Sequence, residues 1–112
     1  MNDKEYKILL KDLTLLNKDE KEELLFRLRK EMDILDEKLT KLLSERTGYS
    51  LMVGRVKRSL NLPTYSPERE REISKKINKF IEKPLNESAL KRIYERILDE
   101  SRAVQKNDTT EK

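Results

Sequence analysis

The chain has 112 residues, of which 43% are charged and 35% hydrophobic, with two glycines, three prolines and a formal net charge of +4. It contains neither cysteine nor histidine, which excludes thiolate chemistry, Ser-His and Cys-His nucleophile systems, imidazole acid-base catalysis and nearly all zinc sites. A composition so rich in charge and so poor in turn formers favours helices over sheets, and the length corresponds to one domain.

Residues 1 to 17 form an N-terminal extension, in which Tyr6, Ile8, Leu9, Leu10, Leu13, Leu15 and Leu16 are spaced to make a short amphipathic helix. Asn17 followed by Glu20 resembles a capping box with asparagine in place of serine, and places the start of the next helix near Lys18. From there the apolar positions Leu25, Leu28, Met32, Leu35, Leu39 and Leu42, then Tyr49, Val53, Val56 and Leu60, recur at alternating spacings of three and four. That is one sustained helical seam, uninterrupted by proline and only mildly weakened by Gly48 and Gly54. It should end near Asn61, because Pro63 disfavours helix at the residue before it.

Ser66 is a good N-cap for a second helix, with Pro67 at the first helical position and Glu68 in the positive first turn. Ile73, Ile77, Phe80 and Ile81 give it about four turns before Pro84. Asn86 can cap a third helix whose apolar face runs through Leu90, Ile93, Tyr94, Ile97 and Leu98 to Ser101, Val104 and Gln105. The tail 106 to 112 has no apolar residue and is expected to be disordered. The fold class is therefore all-α, with one long and two shorter helices between residues 18 and 105. The long helix would measure roughly 60 Å, against a radius of gyration of about 13 Å for a compact domain of this size. One protomer cannot cover such a seam, so an intertwined helical-bundle homodimer is expected.

The chain begins without a basic segment leading into a long apolar core, and no stretch approaches the ~20 apolar residues of a membrane span. A cytoplasmic protein with no membrane partner is the expectation, and the length leaves no room for a fused catalytic domain. Lysine and arginine alternate with glutamate, as in SPEREREISKK, which reads as solvated helix faces rather than a nucleic-acid surface. No tryptophan is present to stack on single strands.

The seam contains one permanent cation, Arg46, where the spacing asks for a hydrophobe, and a buried guanidinium needs an anion. Lys57 lies eleven residues on, about three turns, and returns to nearly the same face. Arg69 heads the stripe of the second helix, and Ser101 and Gln105 fall late in that of the third. This mostly cationic set suits a small molecule bearing carboxylates, because the arginine fork matches a carboxylate and stays charged when desolvated. Taken singly, each has a plainer reading: Arg46 paired with a glutamate across an interface, Arg69 at a helix end, Ser101 and Gln105 in a fraying terminus. Arg29 precedes Arg46 by seventeen residues, roughly 25 Å along the helix, too far to share a small ligand within one chain. In an antiparallel dimer it could reach the partner's site, giving two composite sites.

The run LRKEMDILDEKLTKLLSERTGYSLMVGRVKRSLNLPTYSPEREREI, with ILDESRAVQ later, resembles the all-helical AroQ class of chorismate mutases. The match spans Leu28 to Gln105 and keeps the family's order: LR with ILD, then LL-x-x-R, VG-x-x-K, a proline loop followed by RE, and a serine with glutamine four residues on. The resemblance implies an intertwined dimer of three-helix chains that converts chorismate to prephenate in phenylalanine and tyrosine biosynthesis, without metal or cofactor. It implies that Arg46 and the partner's Arg29 grip the two substrate carboxylates, with Ser101 and Arg69 in support. Lys57 and Gln105 would donate to the ether oxygen, and Glu70 would accept from the ring hydroxyl. Ser66 stands where the family often has aspartate, at a contact usually made by backbone.

A Claisen rearrangement is unimolecular and needs neither nucleophile nor proton transfer, so a chain lacking histidine and cysteine can catalyse it. Two other functions remain open on the sequence: an isochorismate-pyruvate lyase on the same scaffold, and an inert helical interaction module.

Overall fold

The computed structural model describes residues 13 to 108. Its elements are a single 3-10 turn at Leu13–Leu15 and three α-helices: α1 at Lys18–Ser59, α2 at Pro67–Asn78 and α3 at Glu87–Lys106. Among the described residues there is no strand, so the expected all-α architecture of one long and two shorter helices is the one found. The amphipathic helix expected near the N-terminus lies mostly outside the described residues; within them only the turn at Leu13–Leu15 is formed.

By its internal contacts the chain divides, between Leu42 and Leu43, into two compact units, although α1 runs through both. In the first unit α1 starts at the expected reciprocal cap. The Asn17 amide donates to Glu20 Oε1 at 3.0 Å, and the Glu20 amide donates to Asn17 Oδ1 at 2.8 Å. Two amides without helical partners are thereby satisfied. Ion pairs one turn apart, such as Lys41 with Glu37 at 3.1 Å, cover the polar side. On the apolar side Met32 and Leu35 are each 61% exposed, so in the single chain the seam is uncovered here.

In the second unit α1 ends one residue earlier than Leu60, on a left-handed residue. Asn61 has φ of 57°, the Leu62 amide donates to the Lys57 carbonyl at 2.8 Å, and the Asn61 amide donates to the Arg58 carbonyl at 3.1 Å. Asparagine tolerates this conformation better than most residues, so it fills the role usually given to glycine. Ser66 caps α2 as expected, accepting from the Arg69 amide at 3.4 Å, and Asn86 caps α3, accepting from the Ala89 amide at 2.8 Å.

Two expectations need correction. The second helix ends at Asn78, a turn short of Ile81, because its last turn tightens: the Lys79 and Phe80 amides donate to the Lys76 and Ile77 carbonyls. Phe80 and Ile81 therefore belong to the linker, which passes through a cis Lys83–Pro84 bond. The tail, expected to be loose from Lys106, is ordered through 108. Lys106 is helical, and Asp108 accepts from Arg55 Nε and Arg58 Nη2, each at 2.9 Å. Its side chain is only 2% exposed, since two cations of α1 hold it. Leu98 is the one buried hydrophobe among the described residues; Ser50, Gly54 and Gln105 are buried as well.

Candidate active site

The second unit carries a cleft of about 440 Å³. Arg46, Ser50, Val53 and Lys57 enter it from one face of α1, at the spacing of successive turns. Thr64 and Ser66 come from the linker that follows, Arg69, Glu70 and Ile73 from the start of α2, and Leu98, Ser101, Arg102 and Gln105 from the end of α3. Of the residues selected from sequence, Arg46, Lys57, Ser66, Arg69, Glu70, Ser101 and Gln105 thus line one cavity. Arg29 is an exposed residue of the first unit and is not among them.

The cations in the cleft are not equally engaged. Arg46 is half-buried and no ion pair holds it among the described residues. Lys57 Nζ donates to the Thr64 carbonyl at 2.8 Å, a neutral acceptor, and is otherwise without an anion there. The Lys57 backbone is fixed at the same time, since its carbonyl closes the left-handed cap at Leu62. Arg69 differs: its guanidinium donates to Glu72 Oε1 at 2.5 Å on the same helix. Hydrogen bonds from Lys76 first and then Arg69 hold the Glu72 carboxyl below its ordinary value. Glu70 receives a charge-assisted hydrogen bond from Arg102, which also reaches Asp99. The Glu70 hydrogen bond raises the Arg102 pKa above its already high ordinary value, so this guanidinium is charged at any working pH.

At the other side of the cleft, Gln105 Nε2 donates to Ser50 Oγ at 3.0 Å. Ser50 and Ser101 hydroxyls are hydrogen-bonded to each other, and Ser50 Oγ also donates to the Ser101 carbonyl at 3.1 Å. Gln105 Oε1 is buried with no partner, an arrangement that costs free energy unless something else satisfies it. Gly54 makes this packing feasible: a Cβ there would lie 2.8 Å from Gln105 Cγ and 3.2 Å from its Cα. The glycine is thus a place of close helix approach, not merely a weak point in α1.

Sequence reasoning did not select Ser50, Gly54 or Arg102. Ser50 had a usable signal, because it falls four residues after Arg46 and seven before Lys57, on their face. Arg102 had none, since its i,i+3 relation to Asp99 reads as an ordinary solvated pair. Among the described residues no group of three or more acidic side chains is placed to hold a metal ion, and no helix is long and apolar enough to cross a membrane.

Comparison with known proteins gives a consistent result. Residues 28–106 match the family model described as chorismate mutase type II. The chain is 33% identical over 85 residues to the chorismate mutase of Methanocaldococcus jannaschii, a match covering 75% of this chain and 86% of that one. It is 50% identical over 50 residues to a bifunctional chorismate mutase/prephenate dehydratase of Aquifex aeolicus, covering 45% of this chain but only 14% of that larger protein. Its fold matches the crystal structure of chorismate mutase from Helicobacter pylori in complex with prephenate with a TM-score of 0.73 and 36% identity, over 80% of this chain and 98% of that one. With a family model that matches residues 28–106, well over half of its length, the chain belongs to the type II chorismate mutases.

Proposed function

We propose that this chain catalyses the rearrangement of chorismate to prephenate, in a cytoplasmic homodimer with two composite sites. The observation that carries this reading is the pair Arg46 and Lys57, two cations on one helix face that enter the cleft with no carboxylate partner among the described residues. Desolvated charge of one sign is costly unless a guest supplies the other. A small dicarboxylate does so.

The chemistry follows from the residues. Arg46 takes one carboxylate with its planar fork, and Arg29 of a second copy takes the other. Holding both ends compresses the flexible enolpyruvyl side chain over the ring, which brings the two carbons that must bond into contact. As the C–O ether bond lengthens, negative charge grows on that oxygen, and Lys57 Nζ, already oriented by Thr64, stabilises it. Gln105 is the second donor. Half a turn about its last side-chain bond exchanges Nε2 and Oε1, a soft rotation. Ser50, turning its hydroxyl proton from the Ser101 carbonyl, then donates to Oε1, and an amide N–H stands where the unpartnered oxygen is now. Glu70 accepts from the ring hydroxyl, the backbone at Ser66 adds a contact, and Ser101 and Arg69 support the wall.

The second copy is argued from α1. Beyond Met32 and Leu35 in the first unit, Tyr49 is 69% and Val56 55% exposed in the second, so each unit leaves apolar positions of α1 bare. Burying such a stripe on a copy of itself stabilises at roughly 25 cal/mol per Å² of apolar surface. Purified protein given chorismate should form prephenate, and given isochorismate should release no pyruvate. Pyruvate release with no prephenate would replace this reading by a lyase, and inertness toward both would replace it by an interaction module.

A further inference from the structure

Arg102 is a cation of the cleft that the reading above does not use. It projects from α3, its guanidinium hydrogen-bonds the Glu70 carboxylate of α2, and it stands 5.4 Å from the centroid of the Tyr65 ring in the linker. Both Arg102 and Glu70 side chains are 25% exposed, so the pair is partly withdrawn from solvent. Glu70 itself poses a difficulty. Among the described residues it is the one acidic side chain lining the cleft, and a dianionic guest must settle beside it. Like charges a few ångströms apart in a partly desolvated site repel strongly.

We propose that Arg102 is a positioning residue that neutralises Glu70, so that the cleft can keep a hydrogen-bond acceptor without expelling a doubly negative substrate. The inference rests on the dicarboxylate reading of the cleft. Arg102 acts through Glu70, and its contact with the Tyr65 ring aligns the fork that does so. Asp99, its other partner, lies on the same helix and is 52% exposed, so it anchors the guanidinium without adding charge to the cleft wall.

The test is a double-mutant cycle on the full chain with chorismate as substrate. Arg102→Gln should raise KM on the order of tenfold while kcat changes by less than about threefold, because bare Glu70 repels the guest in the ground and transition states alike. In the Arg102→Gln background, removing the bared charge by Glu70→Gln should bring KM back to within about threefold of the parent. A KM that stays raised in the double variant means that Arg102 merely braces the fold and overturns the proposal, as does an unchanged KM in the single variant. Where circular dichroism shows that Arg102→Gln has lost its fold, Arg102→Lys carries the decision. Charge retained with the fork lost should leave KM within about threefold of the parent, and a tenfold rise overturns neutralisation. A parent protein that makes no prephenate is a different failure: it removes the proposed function, and the inference with it.

Discussion

At the scale of single residues, the strongest expectation concerns Lys57. Lys57→Ala removes a preorganised donor from the ether oxygen and should lower kcat about 100- to 1000-fold. The fold should persist, because the left-handed cap at Leu62 uses the Lys57 carbonyl and not its side chain. Stopped-time prephenate assays beside a circular dichroism spectrum check both halves. Gln105→Glu gives a signed pH effect. A carboxyl group can donate to the ether oxygen only when protonated, so activity should rise as pH falls, whereas the amide of the parent's Gln105 does not titrate. A pH profile parallel to the parent's would place residue 105 away from that oxygen. Arg46 and Lys57 were legible in the sequence because each breaks or rejoins an apolar stripe at helical spacing. Arg102 was not, and Ser50 only through its place on their face, because a serine and an i,i+3 arginine look the same whether they face solvent or a cleft. Only the approach of α3 to α1 and α2 distinguishes them.

Among the helices, the starts were readable and the ends less so. The caps at Asn17, Ser66 and Asn86 follow from local hydrogen bonding that a short stretch of sequence encodes by itself. The end of α2 at Asn78 and the grip of Arg55 and Arg58 on Asp108 depend on partners elsewhere in the chain, and no local pattern announces them. Gly54 decides an interhelical distance, and its replacement separates propensity from packing. Gly54→Ala should favour the isolated α1 helix by about 1 kcal/mol. Yet the new methyl would meet Gln105 Cβ at 2.9 Å and its Cα at 3.2 Å, so α3 must shift. The expected result is a loss of kcat out of proportion to any loss of melting temperature. Retained turnover would mean that α3 can slide without displacing Gln105.

For the molecule as a whole, the exposed stripe on α1 predicts that two chains share each reaction. Arg29→Ala and Arg46→Ala proteins should each be nearly inactive. Mixed and allowed to exchange subunits, they should regain activity approaching about one quarter of the parent's sites, since half the dimers are mixed and one site in each mixed dimer is intact. No recovery on mixing would confine the site to one chain and leave Arg29 as a solvated cation. Spacing alone had raised this arrangement, because Arg29 and Arg46 lie too far apart on one helix to hold the same small guest; which residues of a second copy meet them was beyond its reach. If the bare stripe is what joins the subunits, catalysis inherits their mass action. At high dilution the measured rate would then fall with the square of protein concentration, and an assay run at trace levels would report a sluggish catalyst where a concentrated one is brisk.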